Sequence, residues 1–191
     1  MRQSPDVATL REALVHAIAA LKAAELPFAV AGGYALYAWG STEPDHDADV
    51  VVERRSLDAA RLALADAGFD IEQPPEDWLI KAWWRGTGSD AFVDVIFELA
   101  GEPVSDDLLR RAQTRLLHAV HAPVLAPHDV IAAKLRVLTE HCCDYTPLLR
   151  ATRAIREQVD WKQLRRESAA NPYAQGFLDL VDRLRLADTR P

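Results

Sequence analysis

"AVAGGYALYAWGSTEPDHDADVVVE", residues 29–53, is the stretch on which the reading of the chain turns. A short apolar run ends in Gly32-Gly33, and after a gap of thirteen residues come Asp47 and Asp49, leading into Val50, Val51 and Val52. Side chains alternate between the two faces of a strand, so a strand over "DADVVVE" would point Asp47 and Asp49 the same way and Ala48 the other. Two carboxylates on one face repel unless a cation lies between them. Mg²⁺ suits hard oxygen ligands of this kind, with one or two protein carboxylates and the remainder from substrate phosphates. A strand that ends in glycines and opens a helix also brings backbone N–H groups to where a triphosphate can bind. A third acid, Asp94, stands in the apolar run "AFVDVIFEL" (residues 91–99). Burying a carboxylate there without a partner is costly, and a metal is a natural partner.

The rest of the chain frames this constellation. Its 191 residues suffice for one domain, or for a small strand-and-helix core with a helical extension. With 49% apolar and 27% charged residues, a packed globular protein is expected. No stretch approaches the roughly 20 uninterrupted apolar residues of a membrane helix. The N-terminal segment carries Glu12, Lys22 and Glu25 on an amphipathic pattern and does not read as a signal peptide. Cysteine occurs only as Cys142-Cys143, which gives no disulfide framework, so a cytoplasmic location is expected. Charge is unevenly spread: residues 1–133 hold 21 acidic against 11 basic residues, residues 134–191 hold 8 against 11. An acidic metal centre beside a phosphate-binding surface would have this balance, as would ordinary helical surfaces.

Periodicity predicts a helix over 6–24, with Leu10, Leu14, Ile18 and Leu21 on one stripe. A short strand then runs into the glycines, a short helix over "YALYAWG" stops at Gly40, and "DADVVVE" forms a strand. A helix over 56–69 has Ser56 as N-cap and Gly68 as stop. Three further strand candidates are "FDIEQP", "DWLIKAWWRG" and "DAFVDVIFEL", the second equally readable as helix. A short helix at 105–112 and extended pieces at 114–118 and 122–125 complete the mixed part. From Pro127 the pattern is helical, with segments at 127–141, 148–159, 161–170 and 172–186. The expectation is an α+β fold, with a mixed-sheet core over 1–126 and a helical part over 127–191 that shares its cleft.

Gly32-Gly33, Asp47-Ala48-Asp49 and the later "FVDVIF" together resemble the core signature of the nucleotidyltransferase superfamily, the polymerase-beta-like fold. The second half, "HDVIAAKLRVL" followed by "CCDYTPLL", resembles the MenT and AbiEii type of nucleotidyltransferase toxin and places Lys134 and Asp144 at its motif positions. The resemblance implies a two-metal Mg²⁺ site with Asp47, Asp49 and Asp94 as ligands, NTP as substrate and Lys134 as the cation on the phosphates. Gly32, Gly33 and Ser41 would line the triphosphate and Asp144 the nucleotide site, although Asp144 reads equally well as a helix N-cap. It also implies a tRNA 3′ end as acceptor and a cognate antitoxin as partner. Many relatives carry a basic residue shortly before the acid pair; this chain has Glu43, Pro44 and Asp45, and Arg54, Arg55, Lys81 or Lys134 are left to replace it. A small-molecule transferase of the aminoglycoside or lincosamide kind has a similar Gly-Gly-to-acid segment and is the alternative. A catalytically silent binding module is a third, against which the three retained acids argue.

Other features have plainer readings. His118, His121, His128 and His141 with Cys142 and Cys143 match no familiar zinc spacing. Of Trp78, Trp83 and Trp84, at least two are expected in the core rather than stacked on a base. The run "RATRAIR" with "KQLRR" reads as a solvated helix face before it reads as an RNA contact.

Overall fold

The apolar runs on either side of the glycine pair become the central strands of one mixed sheet. The computed structural model describes residues 6–85 and 90–187. The first part contains α1 (Val7–Ala23), β1 (Phe28–Val30), α2 (Gly32–Ala38), β2 (Asp49–Val52) and α3 (Leu57–Asp66). It continues through β3 (Asp70–Glu72), β4 (Leu79–Arg85), β5 (Asp90–Ile96), the two-residue strands β6 (Glu98–Leu99) and β7 (Glu102–Pro103), and α4 (Asp106–Arg111). Strands β8 (Gln113–Leu117) and β9 (Val120–Val124) close the sheet, and α5 (Pro127–Arg136), α6 (Thr146–Ile155), α7 (Trp161–Glu167) and α8 (Pro172–Arg183) follow.

Strand order in the seven-stranded sheet is β3-β4-β5-β2-β1-β9-β8. The pairs β2·β5 and β1·β9 are parallel and the others antiparallel. Val50, Val51 and Val52 are all fully buried, so β2 is covered on both faces, as an unbroken apolar run at the centre of a sheet requires. Helix α1 packs against β5 and α3, while α2 lies between β2 and α5 and joins the helical part to the sheet. The expected α+β architecture is therefore present, with the C-terminal helices following the sheet.

Some elements differ from the sequence reading, and one left ambiguous there is settled. Strand β2 begins at Asp49, which leaves Asp47 in the preceding loop and removes the premise that both acids alternate on one strand. "DWLIKAWWRG" is settled as strand by pairing on both sides, with β3 and β5 as neighbours; its last residue lies outside the described residues. Ser56 makes no side-chain cap and ends a 3₁₀ turn over Arg54–Ser56 instead. The helix expected over 127–141 stops at Arg136. There the amide of Asn171 donates to the carbonyls of Leu135 and Leu138, at 3.2 and 3.0 Å, and satisfies chain ends that would otherwise continue the helix.

Candidate active site

The site is assembled at the seam where β2 leaves its loop. Asp49 is the first residue of β2 and pairs in parallel register with Asp94 of β5; Asp94 in turn faces Lys81 across the antiparallel β4·β5 pair. Directly paired residues share a sheet face, so three strands present a row of Asp49, Asp94 and Lys81. Lys81 Nζ lies 2.8 Å from Asp94 Oδ1 and 4.0 Å from the centroid of the Phe92 ring. The backbone fixes the row: Asp94 N–H donates to the Ala48 carbonyl at 2.8 Å, and Ala31 N–H donates to the Asp49 carbonyl at 2.9 Å.

The glycine pair has a steric role that its spacing alone does not reveal. Gly32 adopts φ +55°, and a Cβ there would lie 1.8 Å from Asp49 Oδ2. A Cβ on Gly33 would lie 2.9 Å from Pro44 Cβ. The two glycines are the hollow into which the acid-bearing loop and its strand are pressed. Gly33 lines the cavity described next, and Gly32 lies beneath Asp49.

A cavity of about 460 Å³ opens between this seam and α5 and α6. Six of the sequence-predicted residues line it: Gly33, Ser41, Asp47, Asp49, Lys134 and Asp144. Asp94 is not part of its wall. Lys134 comes from α5, and Arg150, from α6, adds a second cation. Leu36, Leu138 and Leu148 give one wall an apolar surface. Asp144 also accepts from Thr146 N–H at 2.8 Å, so it begins the turn into α6 while facing the cavity.

The loop carrying the acids is tied down at both ends. Arg11 donates to Glu43 through Nε and Nη2 at 3.1 and 2.8 Å, and His118 Nε2 lies 3.1 Å from the same carboxylate. Further along, His46 stands between Asp45 and Asp47, its ring nitrogens 2.5 and 3.5 Å from their oxygens. That imidazole holds the Asp45 carboxyl below its usual range. Glu43 is thus the partner of Arg11.

Electrostatically the seam is short of positive charge. Burial, together with Asp94 and Asp47 close by, pushes Asp49 up to about 7, against the opposing pull of Lys134 and Lys81. Asp94 is raised as well, chiefly by burial, with Lys81 holding it back. Among the described residues no three carboxylate, imidazole or thiolate side chains are grouped so as to hold a metal ion by themselves. An open pair at a cavity floor, left uncomfortable by its own charge, fits Mg²⁺, which completes its shell from phosphates and water.

Of the four cations considered as replacements for the missing base, Lys134 reaches the cavity and Lys81 reaches Asp94. Arg54 lies over the Phe97 ring and Arg55 pairs with Asp106, both elsewhere. His128 pairs with Glu167, and no zinc-like cluster exists among the described residues. Trp84 packs on the core and stacks on His16, Trp83 packs on Phe92 and Trp78 is exposed; none lines the cavity. Arg150 was legible only as one member of a basic run. Its periodicity, three residues before Arg153 on one helix, gave no sign that it borders the cavity.

No protein-family model matches the chain, and no curated protein matches it in sequence. Solved structures do match its fold. The antibiotic-resistance factor ANT(2")-Ia, in complex with adenylyl-2"-tobramycin, superposes with a TM-score of 0.54 at 12% identity, over 92% of this chain and 98% of that one. An antigenic nucleotidyltransferase-like protein from Paracoccidioides brasiliensis gives 0.52 at 14% identity, over 96% and 94%. The lincosamide antibiotic adenylyltransferase LnuA, lincomycin-bound, gives 0.50 at 12% identity, over 73% and 92%. The fold is that of the nucleotidyltransferases. No helix among the described residues is long and apolar enough to cross a membrane.

Proposed function

We propose that the chain is a Mg²⁺-dependent nucleotidyltransferase that moves a nucleoside monophosphate from an NTP to an acceptor hydroxyl. The observation that carries this reading is the fit of Asp49 into the hollow left by Gly32, at the floor of a cavity that also holds Asp47, Lys134 and Ser41. Asp47 and Asp49 would hold Mg²⁺, which when bound supplies charge neutralisation for the triphosphate and the departing pyrophosphate. Lys134 and the Ser41 hydroxyl would grip phosphate oxygens, and Gly33 lets the backbone approach them closely. Asp94, a buried carboxylate with a raised proton affinity, would take the proton of the attacking hydroxyl. The oxygen of that hydroxyl forms the new ester bond to the α-phosphorus as the bond to pyrophosphate breaks.

The cavity wall favours a small cationic acceptor. Glu43, Asp45, Asp47, Asp49 and Asp144 outnumber Lys134 and Arg150, and an acidic cleft attracts positive charge. The structural neighbours that act on aminoglycoside and lincosamide antibiotics agree with this choice. A second reading, transfer to the 3′ end of tRNA by a toxin held in check by an antitoxin, is favoured by the exposed Arg150 at the cavity rim, Arg153 along α6 and Arg156 just after it.

One assay separates them: α-labelled ATP, CTP, GTP and UTP with Mg²⁺, offered total tRNA or a panel of aminoglycosides and lincosamides, beside an Asp49→Ala control. Label on a small amine-bearing acceptor, lost in the control, supports the first reading; label on tRNA supports the second. No transfer and no NTP binding would refute the nucleotidyltransferase reading itself.

A further inference from the structure

We infer that Lys81 is a resident cation at Asp94, occupying the place a second divalent metal would take, so that the site holds a single metal ion on Asp47 and Asp49. This rests on the nucleotidyltransferase reading of the cavity and concerns how many metals that site takes. Three observations converge. Lys81 is not a surface side chain that happens to reach an acid: it is the register partner of Asp94, so the β4·β5 pairing itself sets the two Cα atoms opposite each other. Its ammonium is held at two points, 2.8 Å from Asp94 Oδ1 and 4.0 Å from the Phe92 ring centroid, which a cation prefers to face. Both partners are largely shielded, with side-chain exposures of 24% for Lys81 and 15% for Asp94, so the pair is poorly screened by solvent.

Asp49 is placed differently, although it too is shielded. It has no lysine as register partner, it faces the cavity, and Gly32 makes room for its Oδ2. The row across three strands therefore divides into an end open to a metal, Asp49 with Asp47 above it, and an end already neutralised, Asp94 with Lys81. A divalent ion arriving at Asp94 would meet an ammonium bound to one of its two oxygens and would have to displace it or accept its repulsion. Lys81 acts here through Asp94 and is a positioning residue: it keeps that carboxylate ionised and aimed without a second metal.

The test counts metal ions. Mn²⁺ is titrated into the full chain in the presence of saturating α,β-methylene-ATP and followed by electron paramagnetic resonance, which separates bound from free Mn²⁺. The wild type and Asp94→Asn are expected to bind one Mn²⁺ per chain with similar affinity. Lys81→Met should gain a second equivalent, its dissociation constant lowered about tenfold or more, the scale on which a neighbouring charge moves an ionic equilibrium. Lys81→Arg should stay at one, and Lys81→Met/Asp94→Asn should return to one. Two Mn²⁺ in the wild type, falling to one in Asp94→Asn, would overturn the inference even if Lys81→Met does not fold. A folded Lys81→Met that still binds only one would overturn it too. Failure of every variant to bind Mn²⁺ and nucleotide would refute the reading of the cavity, and the inference with it, which is a different result from either count.

Discussion

Gly32→Ala tests the central steric claim. At φ +55° an L-residue costs about 1–2 kcal/mol in backbone conformation. The added Cβ would meet Asp49 Oδ2 at 1.8 Å and Cγ at 2.8 Å, so the carboxylate must leave its place. Forcing a group into packed surroundings costs about 1–3 kcal/mol more, for a total of about 2–5. The two contributions separate in a double-mutant cycle with Asp49→Ala. Without the carboxylate the two nearest obstacles are gone and Asp49 Cβ, 3.3 Å from the new methyl, remains, so the cost of Gly32→Ala should fall to about 1–2 kcal/mol, leaving a coupling of about 1–3. Urea denaturation of the four proteins at pH 8, without metal, measures each corner. The displaced carboxylate should also weaken binding of Mn²⁺ with α,β-methylene-ATP in the single Gly32→Ala protein. Equal costs of Gly32→Ala with and without Asp49 would refute the proposition that this glycine exists to seat that aspartate.

Three further outcomes follow from the same geometry. Because Asp49 is raised from 3.8 to about 7, the folded chain holds a proton that the unfolded chain releases, so metal-free stability should fall as pH rises from about 4 to about 7. At 1.36 kcal/mol per unit the ceiling is about 4 kcal/mol, reduced by whatever solvent reaches the cavity floor, and Asp49→Asn should flatten the denaturation midpoint against pH. Lys134→Ala removes a charge-assisted contact of about 1.5–3 kcal/mol, so NTP should bind about 10–100-fold more weakly in equilibrium titration, with less dependence on salt. Asn171→Ala removes a donor from the carbonyls of Leu135 and Leu138 and the N-cap of α8, and should destabilise the chain by about 1–3 kcal/mol in thermal unfolding without changing which nucleotide is transferred.

Much of the fold was legible because its signals are local. The stripe of Leu10, Leu14, Ile18 and Leu21 marks α1, and all four are fully buried. Val50-Val51-Val52 announces a central strand. What could not be read locally was decided by partners distant in sequence. "DWLIKAWWRG" is helix or strand until β3 and β5 are placed beside it. Helix α5 stops at Arg136 because a side chain 35 residues later caps it. The tiny β6·β7 hairpin interrupts what reads as a continuous strand through Glu98 and Leu99.

The site shows the same division at finer grain. Residue types and spacing singled out the glycine pair and the acids, while Ser41, Lys134 and Asp144 came from the family resemblance; Gly33, Ser41, Asp47, Asp49, Lys134 and Asp144 line one cavity. The reason offered for the acid pair, alternation along a strand, fails, since Asp47 lies in the loop; His46, Pro44 and the Arg11–Glu43 contact position it instead. Nor does a linear sequence say that Asp94 lies between Asp49 and Lys81. Lys81 is separated from Asp94 by a strand reversal, and only the β4·β5 register turns a basic residue in an ambiguous segment into the neutralising partner of a buried acid. Whether three acids make a metal site therefore depends on which of them the sheet has already paired. Sequence can count carboxylates, but the charge still unsatisfied among them is fixed by strand register.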